Sequence, residues 1–343
     1  MLWYTGLGPL ITEIFLTINC LILVILISIF GIIGNVINII IFSKQGFDDS
    51  INITLTALAI CDLGALFASQ VLAVVVNPWF LTSDLPIVHM EVVNMVVFYP
   101  HNYCVRVCGF ITAFAAFERC LCVLIPLKVK QVITRKFTIY FLCVIFVVTL
   151  LDMLPIYYVT YLDWVFFPDS NSTKLAMVFR ENPYNVFGIS YLITDMFVPY
   201  FTFFIIILSN VVITWKLKAR SAWRSSVTNT RSVKGEGISN REKKTVLSLM
   251  VVSIIFIVCL LPQSAILSAV SLEPELSIRG SKFDLTILCL SFAYMLECIS
   301  SSVNVIVYYR MSSRYRETFL VFVAQQKWLR KFQPRESTKQ VDI

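Results

Sequence analysis

The sequence predicts an all-α membrane protein, a seven-transmembrane helix bundle with a short amphipathic helix on the inner face. Three observations carry this. First, the 343 residues are 58% hydrophobic and only 14% charged, with a mean hydropathy of +0.80. Soluble domains hold roughly 45–50% apolar and about 25% charged residues. Polar residues must cover a soluble surface, and here there are too few; disorder is excluded by the same numbers. Second, seven continuous apolar runs each reach the length of about 20 residues needed to cross a bilayer. Third, Lys and Arg fall on one side. Of 28, 22 lie in one set of loops and the tail, four in the opposite set, and Arg106 and Arg119 within a run.

The runs cover 18–43, 51–77, 94–124, 136–160, 186–216, 244–271 and 283–309. Each is continuous rather than alternating, which selects helices over a barrel. The first has no basic residue before it and is too long for a signal-peptide core, so it reads as an uncleaved span. The third, the weakest by hydropathy, holds His101, Asn102, Arg106, Glu118 and Arg119. Such groups are costly in hydrocarbon, so this span belongs in the bundle centre. The basic excess places the N-terminus outside and the C-terminus inside. The domains are then 1–17 outside, 18–309 in the membrane, and 310–343 inside. Asn171 heads a sequon on the expected outer side, where glycosylation occurs; the Asn52 sequon falls inside. Over 312–323, Tyr315, Phe319, Phe322 and Val323 recur at helical spacing with Arg314 and Arg316 opposite, a pattern for a helix lying on the membrane lipids. Ser337 and Thr338 in the tail offer hydroxyls for phosphorylation.

Other classes are weighed and set aside. The net charge of +7 sits in short blocks between apolar runs, so no nucleic-acid face exists. The ten cysteines lie in or beside apolar runs, where a thiol acts as a small apolar residue; no zinc spacing appears. No repeat of fixed period is visible. A transporter would need broken helices or paired repeats. A membrane hydrolase would need converging histidines, and there are two, scattered. The chain reads as no enzyme and is assigned no cofactor.

Six local patterns occur in order, each at one end of its span. They are Gly31-Ile-Ile-Gly34-Asn35, Leu58-Ala-Ile-Cys-Asp62-Leu63, Glu118-Arg119-Cys120 before Ile125-Pro126-Leu127, Pro199, Phe256-Ile-Val-Cys259-Leu-Leu-Pro262, and Asn304-Val-Ile-Val-Tyr308. Over nearly its whole length the chain resembles a rhodopsin-like (class A) G-protein-coupled receptor. The stretches from Lys44 to Thr54 and from Glu118 to Lys130 look like the chemosensory receptors expanded in gastropod molluscs.

The resemblance implies roles. Asp62 is either a hydrogen-bonded structural group or, as in the family, the centre of a sodium-linked polar cluster with Asn35, Ser301 and Asn304. Cys108 stands where the family has an oxygen ligand, which counts against sodium. Arg119 would be held at rest by Glu118 and by Glu242 at the start of span 6, and released to a heterotrimeric G protein on activation. Asn304 and Tyr308 complete that switch. Pro199 and Pro262, with Phe256 six residues before the latter, read as hinges or as packing kinks.

The chain also departs from the family. The disulfide from the top of span 3 cannot form, because Asn94 stands at its span 3 position and 161–185 holds no cysteine. Span 4 lacks its tryptophan, and Leu260, Val305 and Ile207 replace common tryptophan, proline and tyrosine. His101 replaces the aspartate that aminergic receptors use, and no lysine between Lys282 and Lys327 is available for retinal.

His101, Asn102, Val105 and Arg106 should line the outer half of the bundle. Asp195, Asp152 and Glu297 should face the same space. His101 is either an interior hydrogen-bonded histidine or a ligand contact. Arg106 either pairs with one of the three acids or receives an anion. The expected ligand is a small polar molecule such as an amino acid, a chemosensory cue. A neuropeptide receptor of the same superfamily is the alternative. The expected location is the plasma membrane.

Overall fold

A computed structural model describes residues 14–75, 77–180, 184–227, 240–276 and 281–325. Seven of its helices are long and apolar enough to cross a membrane. They are α1 (Ile14–Gln45), α2 (Ser50–Val75), α3 (His89–Leu124), α4 (Arg135–Val159), α5 (Gly188–Ala219), α6 (Asn240–Leu272) and α7 (Phe283–Met311). An eighth, α8 (Ser313–Gln325), follows α7 after Ser312 takes an extended conformation. Each expected span coincides with one helix.

α3 is the most enclosed span, with 67% of its most apolar stretch buried against 28% for α1 and α4. This is the position its polar residues demand. The least apolar span is α7, however, not α3, because α7 carries Glu297, Asn304 and the serines at 300–302. Val107, Cys108 and Ile111 of α3 pack in one core with Leu58, Leu142, Ile206 and Phe256 from four other helices. Leu26, Ile33, Phe67, Phe204 and Val258 instead point outward and exposed. A soluble protein could not keep so much apolar surface wet; here it is the face offered to lipid.

α1 meets α2 and α7 closely through two glycines. A Cβ on Gly31 would strike Ser302 Oγ and come within 2.7 Å of Leu66 Cδ1; one on Gly34 would lie 2.8 Å from Val305 Cγ1. Small residues let membrane helices approach where no hydrophobic force drives them together. α1, α3 and α5 each contain a widened π-helical stretch, at Thr17–Val24, Asn94–Phe98 and Leu192–Phe197. In α5 the stretch runs up to Pro199, which lacks the N–H needed to bond one turn back. α5 is otherwise continuous there, with Thr202 Oγ1 donating to Pro199 O at 2.8 Å.

The segment after α4 is an antiparallel hairpin, β1 (Thr160–Phe167) and β2 (Ser172–Phe179), in register from Thr160–Phe179 to Phe167–Ser172. The aromatic and β-branched runs flanking Pro-Asp-Ser-Asn are the strand signal behind it. Asn171 takes the left-handed conformation at the exposed tip (φ 45°), which asparagine tolerates. The hairpin is tied to the chain before α3 without a disulfide. Val88 N donates to Leu175 O and Leu175 N to Pro86 O, both at 2.8 Å, and Met177 N donates to Glu91 Oε2 at 2.9 Å. No disulfide joins any of the ten cysteines.

α8 is anchored by Tyr315, which is 1% exposed against Phe42 and Tyr308. Leu320 and Val321 remain exposed on its other side. Arg314, expected on the polar face, turns back, donating to Gln45 O at 2.8 Å and lying 3.7 Å from Asp49.

Candidate functional site: a ligand cavity, a polar core and a switch

The bundle holds two cavities at opposite ends. At the hairpin end, a cavity of about 380 Å³ has walls from Phe98, Tyr99, Tyr191 and Tyr294, with Asn102, Arg106 and Asp195 among its lining. A smaller space of about 50 Å³ shares Asn102, Arg106 and Asp195 and adds Val105, Pro199 and Phe256. Four expected ligand residues, Asn102, Val105, Arg106 and Asp195, are thus brought together by α3 and α5.

The structure divides the expected acids between two partners. Arg106, 8% exposed, reaches Asp195 Oδ1 at 3.4 Å and Asp152 Oδ2 at 3.8 Å. Asp195 Oδ2 accepts a second bond from Thr194 at 2.7 Å. Glu297 goes elsewhere: its Oε1 lies 2.8 Å from His101 Nε2, with side chains 3% and 0% exposed. Ser69 Oγ is also 3.1 Å from that nitrogen, and Tyr294 packs edge-on against the ring at 5.7 Å. His101 and Glu297 line neither space; Ser69 and Tyr294, which touch His101, do line the larger. His101 is therefore an interior, hydrogen-bonded histidine joining α2, α3 and α7.

Below lies the polar core. Asp62, 3% exposed, accepts from Asn304 Nδ2 at 2.9 Å and from Cys108 Sγ at 3.4 Å, with the Ser301 side chain beside it. Asn35 donates to Ser301 O at 2.8 Å and to Gly31 O at 3.0 Å, tying α1 to α7. A hard cation wants an oxygen cage, and Cys108 presents sulfur. The donors fit sodium poorly, and no step is drawn through it. Asn38, missed from the sequence, and Tyr315, expected only on the apolar face of the last helix, extend this core: Tyr315 Oη donates to Asn38 Oδ1 at 2.7 Å, and Asn38 Nδ2 donates to Asn35 Oδ1 at 3.3 Å. The signal was Asn38 three residues after Asn35, on the same helix face.

The opposite end opens as a cavity of about 760 Å³ whose lining includes Glu118, Arg119, Asp49, Ser50 and Tyr308. Arg119 Nη2 is 3.4 Å from Glu118 Oε1, and that oxygen also accepts from Ser50 Oγ, a partner not foreseen. Among the described residues, Arg119 Nε, Glu118 Oε2 and Tyr308 Oη find no partner. Asp48 and Asp49, just before Ser50, reach Arg135 of α4 at 3.8 Å and Arg314 of α8 at 3.7 Å. Glu242 lies on α6, but its side chain, and so its expected pairing with Arg119, falls outside the described residues. Ser337 and Thr338 also lie outside them. Pro262 stands inside an unbroken α6. Phe256 packs on Phe203 with ring centroids 6.3 Å apart, joining α6 to α5.

This arrangement has a binding space at one end, an unsaturated arginine at the other, and a hydrogen-bonded column between. The model of the 7 transmembrane receptor (rhodopsin family) matches residues 34–308, most of the chain. A search of curated proteins finds no match. Receptors of this family bind ligands and couple to G proteins; they are not a family of enzymes. The chain is a multi-pass membrane protein and belongs to the rhodopsin family of seven-transmembrane receptors.

Proposed function

We propose that the chain is a chemosensory receptor of the plasma membrane, with its N-terminus outside and a glycan on Asn171. A small polar cue binds in the hairpin-end cavity and shifts the population of the bundle toward a form open at the Arg119 end. A heterotrimeric G protein docks there. The observation that carries the reading is Arg106, an ionic group lining a cavity of about 380 Å³, within the range of small-molecule sites.

Asp62, Asn35, Asn304 and Ser301 transmit the shift, since they join α1, α2 and α7 in one network. At the far end Glu118 and Ser50 hold Arg119 until it moves. Glu242 adds to that hold from α6, and Pro199, Pro262 and Phe256 absorb the bending.

The test is a signalling screen in cells carrying a promiscuous G protein, with amino acids, food extracts and short peptides as probes and Arg119→Ala as control. A response to a small molecule, lost in the variant, is the expected result. A response to a defined neuropeptide alone transfers the chain to the neuropeptide receptors. A response that survives Arg119→Ala refutes the switch.

A further inference from the structure

We infer that the compound recognised in the hairpin-end cavity carries a cationic head, an ammonium or guanidinium, on an apolar body. This rests on the receptor reading above and adds the charge of the ligand. The Arg106 guanidinium faces two carboxylates, Asp195 at 3.4 Å and Asp152 at 3.8 Å. Both distances exceed the roughly 2.7–2.9 Å of a tight charge-assisted bond. Arg106 therefore holds both acids without saturating either, and the group as a whole carries an excess negative charge.

Among the described residues, neighbouring groups do not cancel that excess. The nearby His101–Glu297 pair closes on itself at 2.8 Å and faces neither space. Glu91, before the π-turn of α3, already accepts from Met177 N. Water can solvate the excess while the cavity is empty. A ligand that expels the water must supply the opposite charge, because an unmatched buried ion is expensive. An anionic head would have to pull Arg106 from its acids and leave the Asp195 carboxylate facing it, with Asp152 unpaired behind. A cationic head seats on Asp195 and brings the group to neutrality.

The walls agree. Phe98, Tyr99, Tyr191 and Tyr294 surround the space, and the faces of such rings attract cations. The volume of about 380 Å³ accommodates an apolar body of one or two rings. The absence of an acid at position 101 argued against an amine, but the acids come from α4 and α5 instead.

The test uses the full-length chain purified in lipid nanodiscs and three probes that share one apolar body: phenethylamine, N-acetylphenethylamine and 3-phenylpropionic acid. Thermal unfolding is followed at millimolar probe. The amine should raise Tm in proportion to the logarithm of its concentration, and the amide and acid should not. Asp195→Asn should weaken the amine response by about tenfold or more, the loss of one charge-assisted bond. Arg106→Gln should keep or strengthen it, since the negative excess grows; the probe-free Tm of each variant reports its folding. Stabilisation by the acid that disappears in Arg106→Gln overturns the inference, as does the absence of any amine shift. Because the readout is binding, it is independent of the signalling screen. A receptor that signals but prefers the acid refutes the charge assignment alone.

Discussion

The buried pair His101–Glu297 gives the sharpest quantitative expectation. The two groups meet at 2.8 Å between α3 and α7 with side chains 0% and 3% exposed. His101 Nδ1 and Glu297 Oε2 have no hydrogen-bond partner among the described residues, so each group depends on the other. Hydrogen bonds between neutral groups in membrane bundles average about 0.6 kcal/mol and reach about 1.7. Removing one partner of a buried ion pair costs about 3–5 kcal/mol, because a charge is left unmatched. The structure favours the second regime, since the bond is short and no water-exposed surface relieves it. His101→Leu and Glu297→Leu should each destabilise the protein by about 3 kcal/mol or more, while the double variant, which buries neither group, should lose clearly less than the two single losses together. The assay is denaturant titration of the four proteins in one mixed-micelle system. A coupling of about 2–3 kcal/mol is expected from the cycle. Additive losses would refute the reasoning, and a coupling below about 1 kcal/mol would reduce the pair to an ordinary neutral hydrogen bond.

Further expectations follow from other contacts. Gly31→Ala places a methyl group against Ser302 and within 2.7 Å of Leu66, so it should cost about 1–3 kcal/mol by overpacking, read as a lower Tm. Tyr315→Phe deprives Asn38 of its 2.7 Å donor and should cost about 1 kcal/mol; Asn38→Ala also removes the donor to Asn35, so it should cost more than Tyr315→Phe, and an equal or smaller loss would break the proposed chain of bonds. Ser50→Ala removes the hydroxyl that holds Glu118, so ligand-free signalling should rise; unchanged basal output at equal surface expression would show that Glu118 needs no such anchor. Asn171→Gln should abolish a glycosidase-sensitive mobility shift, since Asn171 is exposed at the hairpin tip, whereas Asn52→Gln should change nothing. The reverse pattern would invert the topology.

Much of the architecture was legible because a bilayer leaves few choices. Every backbone group within it must bond internally, so a long apolar run has to be a helix. The polar residues of α3 announced its central place for the same reason. The π-helical turns and the hairpin were less visible. A proline shows that one hydrogen bond is missing but not how the chain winds around the gap. The hairpin lies beyond the apolar runs, where bilayer constraints no longer apply, and its attachment through Leu175 and Met177 depends on a segment some 85 residues away.

The sequence by itself determined the membrane class, the seven spans, the receptor family and the positions of Asp62, Arg119, Arg106 and His101. These are properties of composition, run length and local pattern, all carried within one segment. Only the tertiary structure decided the partners. Three acids were available to Arg106 by sequence; packing gave it Asp195 and Asp152 and assigned Glu297 to His101. It likewise brought Ser50 to Glu118 and Tyr315 to Asn38. Charge pairing depends on distances of a few ångströms between helices. Those distances follow from helix rotation and from close approaches such as that at Gly31, and neither is encoded in any single span.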